Sequence, residues 1–333
     1  MTEQAIPASP LEADLEIYGA LKDKEPSKPP RSQWRDVWDQ FRKHKGAMFG
    51  GGFLLFITLG VLFGPLLWTL EPTTLDIRNK DWRPVYTLLW NSEAKAGWAH
   101  PFGTDQLGRD ILAQMIYGGR VSMAVGWSAM VLALLIGTAV GVAAGYFKKA
   151  DFVLMRFTDL VLSLPILPLV LLAVTLFRQP LTKFFGSPEG GMFVLIVSVI
   201  ALTSWMQTAR IVRGDILALK EREFILAARS IGSTSGKIIR RHLLPNVISP
   251  IMVSATLGLA TAIITESALS FLGVGFPSDF PTWGKLLSDA VDRMQEYPER
   301  VLLPGILISM TVLSVNYLGD GLRDALDPRI RGR

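Results

Sequence analysis

Apolar residues in this 333-residue chain are gathered into six long blocks that are separated by polar segments. The blocks cover residues 47–67, 121–144, 152–176, 192–212, 247–271 and 301–318. At 1.5 Å per helical residue, each block is long enough to cross a bilayer core about 30 Å thick. Because backbone groups in lipid must be bonded within the segment, the pattern predicts an all-α integral membrane protein with about six transmembrane helices.

Lysine and arginine are distributed unevenly between the segments that join these blocks. With the N-terminus inside the cell, the inner segments carry roughly twice as many cations as the outer ones, as membrane proteins prefer. Both termini are therefore predicted to be cytoplasmic. The net charge of +5 follows from this topology and gives no reason to expect nucleic acid as a partner.

The two ends of the chain lie outside the apolar blocks. Residues 1–30 are acidic, contain proline and lack the apolar core of a signal peptide, so they are predicted to form a disordered cytoplasmic tail. In 31–46, Trp34, Val37, Trp38 and Phe41 recur at helical spacing beside cations, which predicts an interfacial amphipathic helix in contact with membrane lipid. Residues 322–333 are predicted to be a cytoplasmic C-terminal tail.

A long segment separates the first two blocks. The predicted division is a first transmembrane helix at 47–68, an external loop and scoop helix at 69–120, and a five-helix core at 121–321. Gly103, Thr104 and Asp105 predict a turn and a helix N-cap. Asp105, Arg109 and Asp110 are predicted to form a salt-bridge cluster that orders the loop.

The segment 214–246, between the fourth and fifth blocks, is predicted to be a cytoplasmic knob of two short helices. Leu217, Glu221, Phe224, Ala227 and Ala228 have the spacing of one helix, and the glycine-rich stretch 232–236 indicates a turn. A second helix is predicted over 238–243, ended by Pro245. A solvated basic loop is the alternative, because runs of charge are usually only exposed surface.

The same segment resembles the coupling loop of binding-protein-dependent ABC importer permeases. The family pattern is Glu-Ala-Ala, three residues, Gly, and then Leu-Pro after eleven more. Ala227, Ala228, Gly232, Leu244 and Pro245 match it, whereas Leu226 replaces the usual Glu and His242 a common Ile. The resemblance implies that Glu223, Ala227, Ala228, Gly232, Leu244 and Pro245 contact a groove on a separate ATPase subunit.

The external segment resembles the dipeptide/oligopeptide permease subfamily, which has nickel and glutathione relatives. The matching signature residues are Gly103, Thr104, Asp105, Gly108, Arg109 and Asp110. Further matches are Gly145-Tyr146, Arg156 with Asp159, and the string TESALSFLGVG at 265–275. The likeness runs from about Trp34 to the C-terminus and is greatest to the subunit with a cytoplasmic N-terminal extension.

The resemblance implies an assembly in the bacterial cytoplasmic (inner) membrane. In it, this chain pairs with a second homologous permease, two cytoplasmic ATPase subunits and an extracytoplasmic solute-binding protein. ATP and magnesium would bind the ATPases, and this multi-pass chain would hold no cofactor or metal. Di- and oligopeptides are the implied substrates, with nickel, glutathione or another small solute as the alternative.

Polar residues inside the apolar blocks are candidates for the pore. Glu266 and Ser267 lie in the fifth block, and Asn316 and Asp320 lie in and just beyond the sixth. Because an intramembrane carboxylate is costly, Glu266 either lines the conduit, pairs with a cation such as Arg120, or makes a structural hydrogen bond to a serine. A gradient-driven secondary transporter that uses Glu266 as its coupling site is an alternative function. Arg156 is expected to pair with Asp159.

Catalytic chemistry finds little support in the sequence. The chain has no cysteine, and its three histidines lie far apart. The stretch 232–237 lacks the glycine spacing and the final Ser or Thr of a phosphate-binding loop. A non-catalytic pore subunit is therefore predicted, and a membrane-embedded enzyme is the weakest alternative.

Overall fold

The computed structural model describes residues 33–277 and 279–326, and within those ranges the chain is almost entirely helical. Its helices are α1 Gln33–Lys43, α2 Lys45–Leu67, α3 Ile111–Tyr146, α4 Lys148–Ser163, α5 Ile166–Phe185, α6 Pro188–Leu219, α7 Glu223–Ser230, α8 Ser235–Ile238, α9 Leu244–Asn246, α10 Ile248–Phe271, α11 Trp283–Val291 and α12 Glu299–Leu326. Short 3-10 turns at Ile77–Asn79 and Val85–Leu89 lie in the segment before α3, and a π-helical turn, Ile239–Leu243, precedes α9.

Six of these helices, α2, α3, α5, α6, α10 and α12, are long and apolar enough to cross a membrane, which confirms the predicted fold class. Several extend beyond the apolar blocks. Helix α3 has 36 residues and begins at Ile111, so the predicted scoop helix is the first part of the second span and no helix end lies near residue 120. The predictions for residues 1–30, and for the tail beyond residue 326, lie outside the described residues.

The third span differs from the predicted block 152–176. The structure divides that block into the amphipathic helix α4 and the first half of α5, with Leu164 extended at φ −78° and ψ 135° between them. Pro165 explains the break, because its ring disfavours the helical conformation of the preceding residue. Helix α4, with its apolar residues, directly precedes the apolar start of α5 in the sequence, so the two together have the length and composition of one span.

Helices α3 and α6 form the centre of the bundle. Gly137 and Gly141 of α3 face the backbone of α6, where a Cβ atom would lie 2.6 Å from the Trp205 carbonyl oxygen and 2.7 Å from that of Ala209. Gly145 continues the series one turn further. Small residues every four positions let two membrane helices approach closely, and this contact fixes the end of α6 from which the next segment begins.

Helix α2 contains Pro65, whose missing N–H leaves the carbonyl of Val61 without its helical partner. Arg120 of α3 fills that vacancy, because its Nε donates to the Val61 oxygen at 2.6 Å and its Nη2 to the Leu62 oxygen at 2.7 Å. Of the alternatives for Glu266, the pair with Arg120 is therefore wrong. The arginine joins the first two spans instead.

The alternation of the spans defines two ends of the bundle. Tyr146, Leu219 and Ile248 lie at one end, which we name the connector end, and the side chain of Lys220 donates there to the Gly145 oxygen at 3.2 Å. Leu67 and Ile111 lie at the other, the loop end, together with the end of α10 and the start of α12. At the connector end, His44 caps α2 by accepting from the Ala47 amide at 3.0 Å.

Candidate functional site

The segment that joins α6 to α10 is the first candidate site, and we name residues 220–246 the connector. Helix α6 continues to Leu219, so Leu217 belongs to the fourth span and the predicted start at residue 214 lies inside that span. The first connector helix is α7, which begins at Glu223 rather than near Leu217.

Pro245 does not end the second connector helix as predicted. Leu244 keeps helical angles, φ −53° and ψ −46°, and the chain continues through α9 toward α10. The π-helical turn just before it accommodates the missing N–H of the proline. The side-chain amide of Asn246 donates to the His242 carbonyl at 2.6 Å, one helical turn earlier.

Helix α7 has one face toward its own chain and one toward solvent. Ile225 and Ala228 are buried, with Ala228 only 6% exposed, and they pack with Ile216 of α6 and Leu243. Ala227 is therefore exposed on the outer surface of α7, whereas Ala228 contacts its own chain.

The opposite face of α7 presents four side chains outward, those of Glu223, Leu226, Ala227 and Ser230. Ile231, which follows the helix, is 83% exposed. A small residue between exposed apolar ones on a helix held by its other face is suited to close contact with another protein.

The turn after α7 requires glycine. Gly232 has φ +76°, its amide donates to the Arg229 oxygen at 2.9 Å, and the Ser233 amide donates to the Ala228 oxygen at 3.1 Å. These two bonds form a Schellman cap, in which a left-handed residue satisfies the last carbonyls of the helix. No described atom lies within 4 Å of the position of a Gly232 Cβ, so the requirement is conformational and not a matter of space.

The base of the connector is tied to α4 by ion pairs. Arg213 of α6 donates to both oxygens of Asp151, with Nη2 at 2.8 Å from Oδ2, and this hydrogen bonding lowers the pKa of the Asp151 carboxyl. Asp159 pairs with Arg210 of α6 rather than with Arg156, so the predicted pair within α4 is wrong. Arg156 instead lies 5.6 Å above the ring of Phe152.

At the loop end, the predicted signature residues form a compact turn. Gly103 and Gly108 have φ of +79° and +78°, and a Cβ at Gly108 would lie 1.9 Å from the Asp76 oxygen. Thr104 is fully buried, accepts from the Trp82 amide at 3.0 Å and donates to the Asn79 carbonyl. The signature therefore closes the loop upon its own earlier part.

The charged members of the signature have separate partners. Asp105 accepts from the Arg109 amide at 2.9 Å and from its Nε at 2.6 Å, whereas Asp110 is the N-cap of α3 and accepts from Ala113. The predicted N-cap at 103–105 is thus wrong, and so is the expectation that Asp110 joins the Arg109 cluster. Asp110 is held instead by buried His100, whose Nδ1 lies 2.8 Å from Oδ2.

A second set of contacts fastens this loop to the start of α12, and sequence reasoning missed it. Arg300 donates from Nη2 to Asp81 at 2.9 Å and lies 4.0 Å from the centre of the Tyr297 ring. Arg83 donates to the carbonyl of Glu296 at 2.8 Å. Burial, with a smaller effect from Asp81, raises the pKa of Tyr297. Asp81 and Arg83 lie more than 200 positions from Arg300 and Glu296, and no local pattern connects them.

The four polar pore candidates do not form one site. Glu266 is fully buried, accepts from the Ser270 hydroxyl at 2.8 Å and lies beside Ser122. Asn316 is half-buried and Asp320 exposed, and both lie in the half of α12 nearer the connector end. The Ser270 bond lies within α10, and the second carboxylate oxygen of Glu266 has no hydrogen-bond partner among the described residues.

Ser267 has a packing role in the same region. It is buried, and its carbonyl lies 2.2 Å from the position that a Cβ atom of Gly284 in α11 would take. The absence of a side chain at Gly284 allows α11 to lie directly against α10. The neighbourhood of Glu266 and Ser267 is thus a junction of α3, α10 and α11.

Comparison with known proteins shows the family to which this chain belongs. Residues 113–332 match the family described as binding-protein-dependent transport system inner membrane component, and residues 32–86 match the N-terminal TM domain of oligopeptide transport permease C. The oligopeptide transport system permease protein OppC of Bacillus subtilis is 36% identical over 306 residues, which are 92% of each chain. The dipeptide permease protein DppC of Alkalihalophilus pseudofirmus is 36% identical over 93% of this chain and 97% of its own.

A solved structure has the same fold. An inward-facing conformation of the MetNI methionine ABC transporter matches with a TM-score of 0.51 and 18% identity, over 63% of this chain and 95% of that one. At this level of identity the likeness concerns the helical architecture alone.

Proposed function

Because this chain belongs to the family of inner membrane components of binding-protein-dependent transport systems, we propose that it forms part of the conduit through which di- and oligopeptides enter a bacterial cell. It is a permease subunit of an ABC importer in the inner membrane. The relatives named as oligopeptide and dipeptide permeases support the choice of substrate. A second, homologous permease completes the conduit.

The outward face of α7 is the observation that supports a further part of the proposal, that separate ATP-binding subunits drive this chain. Its buried face packs on α6, and α6 packs along α3, so a displacement of α7 moves two spans together. Two cytoplasmic ATPase subunits, which bind ATP and magnesium, receive Glu223, Leu226 and Ala227. The chain itself is non-catalytic and holds no cofactor.

The proposed orientation follows from this assignment. The connector end faces the cytoplasm, where the ATPases are, and the loop end faces outward, where a solute-binding protein delivers the peptide. Closure of the ATPases on ATP favours one conformation of the bundle, and each ligand shifts the equilibrium only through its different affinity for the two states.

A substitution on the outward face of α7 tests the coupling. Ala227→Arg places a long charged side chain at the centre of that face, and labelled dipeptide uptake is expected to fall about tenfold or more, as for a loss of about 1.4 kcal/mol from the contact. The ATPases should no longer co-purify, while the chain stays in the membrane. The control is Ser235→Arg, which adds the same side chain to an exposed position of α8. Equal uptake in the two variants would refute the proposed contact.

The absence of cysteine makes the orientation directly testable. Single substitutions Ser233→Cys in the connector and Thr73→Cys in the loop should be labelled by a membrane-impermeant maleimide from opposite sides. Labelling of Ser233→Cys in intact cells would reverse the proposed topology.

A further inference from the structure

A groove of about 430 Å³ opens on the side of the bundle between α2 and α3, near the loop end. Gly60 and Leu67 of α2 and Ile116 of α3 form its walls, and Trp283 of α11 and Leu307 of α12 complete the lining. Its volume is within the range of about 300 to 1,000 Å³ that is usual for small-molecule sites. Peptide transport, as proposed above, makes no use of it.

The lining offers almost no hydrogen-bonding group. The indole nitrogen of Trp283 donates to the Met115 carbonyl at 3.0 Å, and that of Trp68 donates to Asp110 at 3.0 Å. Both tryptophans therefore present only carbon to the groove. A peptide or an ion placed there would lose its water without gaining partners, which excludes polar ligands on energetic grounds.

The dimensions of the groove match one leaflet of a bilayer. It follows α2 from Phe56 to Leu67, a length of about 16 Å at 1.5 Å per residue. This is half of a hydrocarbon core about 30 Å thick. Trp68 and Phe102 lie at its loop end, and tryptophan is enriched at the level of the lipid headgroups.

The groove is continuous with the lipid-facing surface of the first span. Phe56 is 69% exposed and Leu67 86% exposed, and both contribute to the groove as well as to the outer face of α2. Since α2 crosses the membrane, the medium at the mouth of the groove is hydrocarbon. We propose that the groove binds one acyl chain of a phospholipid from the leaflet at the loop end, with its headgroup near Trp68.

Packing, rather than the hydrophobic effect, determines what binds. Surrounding lipid is as apolar as the groove, so transfer of a chain between them gains little from the removal of water. The fixed walls instead select chains by shape, through many weak van der Waals contacts. Binding should therefore depend on the length and unsaturation of the chain more than on the headgroup.

Two matched glycine substitutions test the site. Gly60 lines the groove, whereas Gly52 lies two turns away on the same helix and outside it. No described atom lies within 4 Å of a Cβ at either position, and both glycines are exposed. Gly60→Phe thus fills the groove, and Gly52→Phe adds the same ring to the open surface of α2.

The experiment uses the importer complex purified in lipid nanodiscs that contain a phosphatidylethanolamine with a diazirine in mid-chain. After irradiation, label in the peptides around Ile116 and Leu307 is expected to fall at least about fivefold in Gly60→Phe relative to wild type and Gly52→Phe. Membrane abundance and the unfolding midpoint of the two variants should agree.

Three results would overturn the proposal. One is equal labelling of Ile116 and Leu307 peptides in the two variants, and another is labelling no stronger than that of the exposed helix α5. The third comes from a photoreactive amino acid introduced at Gly60: a cross-link to another subunit in place of lipid would show that this subunit covers the groove. Because the labelling does not depend on transport, failure here leaves the peptide proposal intact.

Discussion

Substitution of Gly232 distinguishes two reasons why a glycine follows α7. One is the left-handed backbone conformation, and the other is a lack of room for a side chain beside a partner surface. A residue with a Cβ in the left-handed region costs about 1 to 2 kcal/mol, and asparagine tolerates that region better than alanine does. Since no described atom lies near the added Cβ, the whole cost comes from the backbone. Gly232→Ala should therefore reduce the ratio of capped to uncapped connector by about 5- to 30-fold, and Gly232→Asn by less.

Amide hydrogen exchange measures the cap directly. The amides of Gly232 and Ser233, which bond to the carbonyls of Arg229 and Ala228, should lose protection in the order wild type, Gly232→Asn, Gly232→Ala. Peptide uptake and peptide-stimulated ATP hydrolysis by the reconstituted complex should fall in the same order. The control is Gly236→Ala in α8, which also adds a Cβ to open space, but on a helical backbone where alanine is favoured over glycine by about 1 kcal/mol.

The order of the two Gly232 variants is the decisive result. Asparagine is larger than alanine, so if the partner surface simply left no room beside Gly232, the asparagine variant would be the worse one. Uptake that is lower in Gly232→Asn than in Gly232→Ala, or equal loss in Gly232→Ala and Gly236→Ala, would refute the conformational explanation.

Three other contacts yield predictions. Arg120→Leu leaves a carbonyl of α2 unpaired and should lower the free energy of unfolding by about 1 to 3 kcal/mol in thermal unfolding. The loss should be much smaller in a Pro65→Ala background, which restores the missing N–H. An equal loss in both backgrounds would contradict this. Because the pKa of Asp151 is lowered, its ion pair with Arg213 is fully formed above the ordinary pKa of 3.8 and is lost only as pH falls through the lowered pKa. The distance between nitroxide labels on α4 and α6 should therefore not change from pH 8 to 5. It should lengthen in Asp151→Asn. Gly141→Leu should separate α3 from α6 and lower the amount of folded protein in the membrane, which detergent-resistant fluorescence of a fused reporter would show.

The spans were predictable because burial in lipid acts on each segment alone. A helix such as α2 must satisfy its own backbone, so composition and length reveal it without knowledge of its neighbours. The break at Leu164 was less visible, since the apolar face of an amphipathic helix adjoins an apolar span. The signal was present nevertheless, in Pro165 and in the charges at the start of α4.

Contacts between distant segments were beyond the reach of local patterns. The sequence marked Asp110 as part of a signature, but not that it caps α3 while bonding to His100 and Trp68. The pairing of Asp81 with Arg300 joins two loops that only the folded bundle brings together. The coupling residues remain a prediction from resemblance, and the structure adds which of their side chains face outward.

The unbroken course of α3 has a mechanical consequence. Its 36 residues extend about 54 Å, far more than the bilayer core, so one stiff rod joins the Asp110 cap to the close contact at Gly145. Tilting such a lever by about 5° about one end would move the other by almost 5 Å. A small tilt of α3 at its Gly145 end therefore displaces the Asp110 cap by several ångströms, together with the loop that Asp110 holds.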